Sequence, residues 1–232
     1  MLITALTQFT TLDFPGRLAC IVFTGGCNMR CGFCHNAEFV LPEKLSKLKT
    51  LLPFEVVKNF LKKRKGLLDG VVICGGEPTV QSDLLERIEE IKALGFAVKL
   101  DTNGSNPAVL KKLIERKLID YVAMDLKDNF PYRKNLVGLA INDSLLKQSI
   151  QIIKESGIEH EFRTTILPEF HDERTLREMA KIVGGSRWAW QRFRNGKTLE
   201  SGFEGAIEYD LLVMEQMKHS LIDSVNRIEL RS

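Results

Sequence analysis

"LACIVFTGGCNMRCGFCHN", residues 18–36, joins a short apolar run to a loop that holds Cys27, Cys31 and Cys34. The run reads as a strand covered on both faces, as strands of a parallel sheet are. Similar runs recur at 70–75 (GVVICG), 96–101 (FAVKLD), 121–126 (YVAMDL), 160–167 (HEFRTTIL) and 187–193 (RWAWQRF). Each is followed by a polar or glycine-bearing loop and then by a helical pattern. The order predicts an α/β fold, a partial TIM-type barrel of about six β/α units. Right-handed crossovers place every loop after a strand at one end, so the three cysteines are expected on the rim that carries the chemistry.

The helices between these runs have recognisable ends. Pro53 can open the first, with Phe54, Val57 and Leu61 on one face. Ser82 is the expected cap of the second, with Leu85, Ile88 and Ile91 as its stripe and Gly95 as its stop. Asn106-Pro107 opens the third; Asn142 or Asp143 opens the fourth, which Gly157 closes. Nothing in the composition of the 232 residues marks a second domain, and 44% apolar residues are enough for one core, so residues 1–232 are expected to form a single domain. Residues 1–17 are expected to add an edge strand and a turn at "LDFPG". Residues 208–232 are expected to add a helix and a short final strand.

A net charge of +3 is too small to suggest a nucleic-acid binder or a trap for acidic substrates. The lysines of "KLSKLKT" and "KNFLKKRKG" read as a solvated face, with a docking patch for an acidic partner as the alternative. The start, "MLITALTQFT", lacks the basic-then-apolar order of a secretory signal, and LACIVF is too short to span a bilayer. A cytoplasmic protein without membrane association is expected. Five cysteines, three of them clustered, favour metal or redox use over disulfides in a reducing compartment.

The spacing C-x3-C-x2-C supplies three thiolates, ligands for soft metals. Structural zinc normally takes four closed ligands, often two C-x2-C pairs, and no second pair is present. His35 directly follows Cys34, a cramped geometry for a fourth ligand. A cubane iron-sulfur cluster has four corners. Three thiolates leave one iron open to a chelating ligand, which explains the spacing better than a closed site does. Gly25, Gly26 and Gly32 let the backbone turn tightly there.

This loop, with Phe33 before its last cysteine, resembles the signature of the radical S-adenosylmethionine superfamily. The resemblance implies one 4Fe-4S cluster bound by Cys27, Cys31 and Cys34, and S-adenosylmethionine chelated at the open iron and cleaved to a 5′-deoxyadenosyl radical. It implies that Phe33 packs near the adenine and that His35 and Asn36 belong to the cofactor site. "CGGEP" is a weak signal alone. After the cysteine loop, its Gly75, Gly76 and Glu77 resemble the family segment that binds the methionine amino group. In "LDTNG" and "MDLKD", Asp101, Asp125 and Lys127 are expected at neighbouring strand ends. The resemblance gives them cofactor binding, with a monovalent cation as a further possibility. Asn103 falls in the same set, although a turn role also suits it.

In "FRTTILP", Phe162, Thr164 and Ile166 alternate with Arg163, Thr165 and Leu167. A polar interior set containing Arg163 suits a wet cavity, and Ile166 is a candidate for packing on adenine. His171 reads as a helix-start residue. Trp190, Gln191 and Phe193 resemble a Q-x-F segment. Cys20 and Cys74 read as buried apolar residues, with hydrogen transfer a lesser alternative for Cys74.

The motifs "DFPG", "FTGGCNMRCGFCHN", "GGEP", "DTNG", "DLK" and "TTILP" occur in the order found in activating enzymes of glycyl-radical proteins. The chain resembles most the activating proteins of anaerobic ribonucleoside-triphosphate reductases, and next those of pyruvate formate-lyase. The implied partners are that glycyl-radical protein and an electron donor of the flavodoxin or ferredoxin type. The implied setting is anaerobic. No long C-terminal extension and no auxiliary cysteine cluster are seen. A small-molecule enzyme resembling 7-carboxy-7-deazaguanine synthases, and a non-enzymatic metal module, remain as alternatives.

Overall fold

In the computed structural model, which describes residues 1–48, 51–221, 225 and 227–231, every apolar run is a strand. The strands are β1 (Ile3–Thr10), β2 (Ala19–Thr24), β3 (Gly70–Gly75), β4 (Ala97–Thr102), β5 (Tyr121–Asp125), β6 (Glu159–Ile166), β7 (Arg187–Arg192) and β8 (Ile228–Arg231). The chain forms two compact units, one of residues 1–28, 36–122 and 145–159, the other of residues 29–35, 123–144 and 160–232.

In the first unit β2, β3 and β4 are parallel neighbours, and β1 adds antiparallel to β2 as the expected edge strand. Their middles are buried without alternation: Ala19, Cys20 and Val22, then Val71, Val72 and Ile73, then Val98 and Leu100. Covered on both faces, such strands need apolar side chains at every position. Cys20 lies inside this layer, and burial pushes its thiol up to about 12.

Helix Phe54–Arg64 buries Val57 and Leu61, and Phe54 is half-buried under the Arg87 guanidinium, 5.0 Å from its ring centre. Helix Leu84–Ala93 corrects two expectations. Its first residue is Leu84, so the N-cap position falls to Asp83 rather than Ser82. The Asp83 carboxylate accepts from Arg87 at 3.0 Å one turn on, and no side chain caps the helix. With that start, Leu84, Ile88 and Ile91 make the i, i+4, i+7 face, and Leu85 is left half-buried. Gly95 ends this segment with φ +96°, as expected. Asn106 caps helix Pro107–Glu115 through the Val109 N–H. Asn142 accepts from the Ser144 N–H at 3.0 Å before helix Asp143–Ser156.

In the second unit β6, β7 and β8 are parallel neighbours. The end of β5 lies beside β6, where the Leu126 N–H donates to the Arg163 carbonyl at 2.8 Å. One face of these strands is apolar and covered. Phe162, Thr164 and Ile166 are buried with Trp188 and Trp190, whose rings meet edge to face at 5.2 Å. The Trp188 indole donates to the Thr164 hydroxyl at 2.9 Å. Helix Glu173–Val183, capped by Asp172 on the Thr175 N–H, buries Leu176, Met179, Ala180 and Val183. The opposite face is polar.

The tail holds helix Leu211–His219 and β8. Ile222, Asp223, Ser224, Asn226 and Ser232 of the expected tail, and Lys49 and Thr50 of the first lysine run, lie outside the described residues. Both units layer helices on parallel strands, the α/β architecture of a partial TIM-type barrel. Among the described residues no helix is long and apolar enough to cross a membrane.

Candidate active site

Two groups of side chains form at strand ends, one in each unit. In the first unit the loop after β2 and the loop after β3 are laced together by backbone. The Gly76 N–H donates to the Thr24 carbonyl and the Glu77 N–H to the Gly26 carbonyl, both at 2.8 Å. A side chain at residue 76 would place its Cβ 2.0 Å from the Gly26 oxygen, so only glycine permits this approach. Gly75 closes β3 beside it.

Glu77 has a structural role that its sequence position does not announce. It is fully buried, and its carboxylate accepts four hydrogen bonds from the protein itself. Oε1 takes the Thr79 N–H at 3.0 Å, the Thr79 hydroxyl at 2.5 Å and the Thr102 hydroxyl at 2.7 Å; Oε2 takes the Asn103 N–H at 2.7 Å. Through these bonds Glu77 fastens the end of β4 to the end of β3. Burial pushes its pKa up, and the four donors pull it down without cancelling the effect.

Asn103 carries this link toward the cysteine loop. Its amide donates to Asn28 Oδ1 at 2.9 Å and lies 3.9 Å from Cys27 Sγ. Asp101 is ion-paired with Lys99, two residues back on the same face of β4. The Lys99 ammonium is buried against the Tyr121 ring at 5.9 Å. Sequence reasoning missed Lys99, although the i, i+2 spacing within "KLD" was its signal. Asn36 is exposed, and its carbonyl accepts from the Phe39 N–H at 2.9 Å.

In the second unit Cys31, Gly32, Phe33 and Cys34 form a turn closed by the Cys34 N–H on the Cys31 carbonyl at 3.0 Å. The Gly32 carbonyl accepts from the Glu200 N–H at 3.0 Å, and Phe33 meets the Phe203 ring at 6.2 Å. The Lys127 ammonium stands 5.6 Å from the Phe33 ring centre. It binds Asp125 Oδ2 at 3.0 Å, while the Arg163 guanidinium binds Asp125 Oδ1 at 2.9 and 3.1 Å. Burial alone would raise the Asp125 carboxyl, but Lys127 and Arg163 together hold it at about 2. Burial works against the Lys127 ammonium, yet Asp125 foremost, then the Cys31 and Cys34 thiols, keeps its pKa above the ordinary lysine value. For Cys31 burial dominates and raises the thiol, with Lys127 opposing it. The structure thus brings Phe33, Cys31, Cys34, Asp125 and Lys127 together and adds Arg163.

His35 is exposed, bonded to the Arg194 carbonyl at 2.8 Å and 5.4 Å from the Phe193 ring centre. Ile166 lies on the covered face of β6, opposite Arg163. His171 does more than precede a helix. Its Nδ1 accepts from the Leu167 N–H at 2.9 Å, which puts its proton on Nε2, 3.0 Å from the Lys127 carbonyl. The imidazole therefore braces the Lys127 segment from behind, and the Tyr132 hydroxyl accepts the Lys127 N–H at 3.0 Å.

Burial pushes the His171 pKa down to about 4 from 6.5. The folded state excludes the imidazolium and the unfolded state does not. The stability this group provides is complete above pH 6.5 and is lost as pH falls toward 4, about 3 kcal/mol in all. Urea unfolding of the metal-free chain at pH 7 and pH 4.5 checks this. The native sequence is expected to lose more stability across that interval than His171→Gln; equal losses would refute it.

Among the described residues no three His, Cys, Asp or Glu side chains are gathered in a group that could hold a single metal ion. Cys27, Cys31 and Cys34 form no disulfide, and three thiols are a donor set that fits a cluster with one uncommitted corner. The model of the radical SAM superfamily matches residues 21–181. A protein of Methanocaldococcus jannaschii with the provisional name glycyl-radical enzyme activating enzyme is 37% identical over 188 residues, 78% of this chain and 75% of that protein. A 7-carboxy-7-deazaguanine synthase of Thermococcus kodakarensis is 29% identical over 159 residues, 61% of each. The crystal structure of Streptococcus suis SuiB bound to the precursor peptide SuiA aligns with a TM-score of 0.70 at 16% identity over 91% of this chain and 48% of that one. Thus the chain spans less than two thirds of the latter two proteins, and the last likeness concerns the fold alone. The cysteine loop at the end of a parallel strand and the family match agree: this chain belongs to the radical SAM superfamily.

Proposed function

We propose that this chain activates a glycyl-radical enzyme, and that its partner is an anaerobic ribonucleoside-triphosphate reductase. The 37% identity to the Methanocaldococcus protein, across three quarters of both chains, carries the activating role. The motif order from "DFPG" to "TTILP" supports the reductase as partner. As a radical SAM enzyme the chain takes one 4Fe-4S cluster, held by three cysteines, and S-adenosylmethionine. When bound, this pair supplies a one-electron reduction and a carbon radical that can take a hydrogen atom from a glycine Cα. A flavodoxin- or ferredoxin-type donor would provide the electron, in an anaerobic cytoplasm.

The chain's own residues have these assignments. Cys27, Cys31 and Cys34 hold the cluster. Lys127, kept charged by Asp125, favours negative charge beside Cys31 and Cys34 and can bind a carboxylate of the ligand. Phe33 offers a ring to the adenine. Gly75 and Gly76 offer backbone at close approach, with Glu77 as the fastener behind them. Asn103 positions the Cys27 segment, and Arg163 fixes Asp125. His35, Asn36, Asp101 and Ile166 have partners or placements of their own, described above, and carry no step here.

The test is anaerobic incubation of the reconstituted enzyme with S-adenosylmethionine, a reductant and the purified reductase. A glycyl-radical resonance should grow on the reductase and be absent when its target glycine is alanine. The identity to the deazaguanine synthase favours a second reading, a small-molecule substrate. Release of 5′-deoxyadenosine with no protein radical would support that reading and sink the first.

A further inference from the structure

Strands of a parallel sheet are normally apolar on both faces. The face of β6–β7–β8 opposite the two tryptophans breaks that rule at nearly every position. It presents Glu161, Arg163 and Thr165 from β6, Arg187, Ala189 and Gln191 from β7, and Glu229 and Arg231 from β8, in register. Most of its charges are already matched. Arg163 is bound to Asp125, and Arg231 clamps Glu161 with two bonds at 2.9 and 2.8 Å while also reaching Glu229. Ala189, paired with Arg163 on one side and Glu229 on the other, is the one residue of this set without a polar side chain.

Toward the C-terminal ends of the strands the situation differs. Thr165 and Gln191 stand directly opposite one another in the β6–β7 register, both half-buried. Neither side chain has a hydrogen-bond partner among the described residues. A half-buried carboxamide and hydroxyl side by side offer donors and acceptors with no net charge. Left unmatched they are costly once water is excluded. Their chemistry complements a peptide group, which presents one N–H and one C=O and carries no charge. It does not match an anion, which the neighbouring Arg163 and Lys127 would serve better.

The geometry points to Thr165 and Gln191 as the pair that receives a backbone amide of the protein substrate, fixing the extended segment that carries the target glycine. This rests on the activating role proposed above. The polypeptide lies along the polar face, with its main chain engaged by Gln191 and Thr165 and the Asp125–Arg163 pair flanking it.

The experiment measures the initial rate of glycyl-radical formation by the reconstituted enzyme against the concentration of the anaerobic ribonucleotide reductase. One neutral hydrogen bond contributes about 1 kcal/mol, roughly fivefold in affinity. Thr165→Val is expected to raise the KM for the reductase about fivefold and Gln191→Ala about tenfold, with kcat within about twofold. Thr165→Ser, which keeps the hydroxyl, should restore the native KM. The KM for S-adenosylmethionine and the melting temperature separate this from a structural defect, which would move both. An unchanged KM for the reductase in both Thr165→Val and Gln191→Ala overturns the inference and leaves the activating role standing. A native enzyme that makes 5′-deoxyadenosine but no radical on the reductase overturns the activating role, and this inference with it.

Discussion

Alanine at Cys27, Cys31 or Cys34 is expected to reduce the formation of 5′-deoxyadenosine to background, each substitution alone sufficing. The three thiols are the soft donors of one loop, and a cubane left with two protein ligands loses iron or its open corner's geometry. The measurement is anaerobic reconstitution with iron and sulfide, followed by reduction with S-adenosylmethionine and chromatography of the products. Iron and sulfide content should fall together with turnover. Cys20→Ala is the contrasting variant. Its thiol is buried within β2 and held protonated, so its loss should leave the product yield near native. Cys74→Ala adds information about the remaining cysteine, since intact turnover would end any idea of hydrogen transfer by that thiol. A cysteine-loop variant that kept its iron and its product yield would remove that residue from the ligand set. Tightly held zinc in the native protein would remove all three.

The second large effect is one of stability. Glu77→Ala strands four donors from Thr79, Thr102 and Asn103 around a space no longer filled by a carboxylate. Deleting one member of a fully buried charged network costs about 3–5 kcal/mol. For a chain of this size the melting temperature should fall by about 10 °C. Glu77→Gln preserves the shape but turns an NH2 toward donors, so it should recover only part of the loss. Melting of the metal-free chain isolates this effect from cofactor binding. A loss under about 1 kcal/mol in Glu77→Ala would mean that the threonines find other acceptors, and that the tie between β3 and β4 lies elsewhere.

The strands were legible because burial on both faces removes alternation and leaves plain apolar runs, such as GVVICG, which matches β3 residue for residue. The helix stops were legible in Gly95 and Gly157, since a positive φ leaves a compositional trace. The start of helix Leu84–Ala93 was not. Ser82 and Asp83 are both good caps by type, and only the burial of Leu84 selects the later start. The site shows the same division. C-x3-C-x2-C is local chemistry, and the sequence displays it whole. The structural part of Glu77 was hidden because its four donors come partly from residues 102 and 103, brought near by strand pairing that no local pattern reveals. His171 was underestimated for a similar reason. Its value lies in a carbonyl of residue 127, and carbonyls are invisible in a sequence.

The turn that carries Cys31 and Cys34 belongs to the second unit, although it is among the first segments of the chain to be made. Its neighbours Lys127, Glu200 and Phe203 follow much later in the sequence. At the usual pace of translation the ribosome takes roughly ten to thirty seconds to travel from residue 33 to residue 203. Throughout that interval the nascent chain displays two thiols whose enclosure has not yet been synthesised. Maturation of the cluster is therefore expected to be a late event in the life of each molecule, scheduled after release rather than during elongation. Ribosome-bound chains should hold no iron, and their cysteines should react freely with an alkylating reagent until the last third of the protein has emerged.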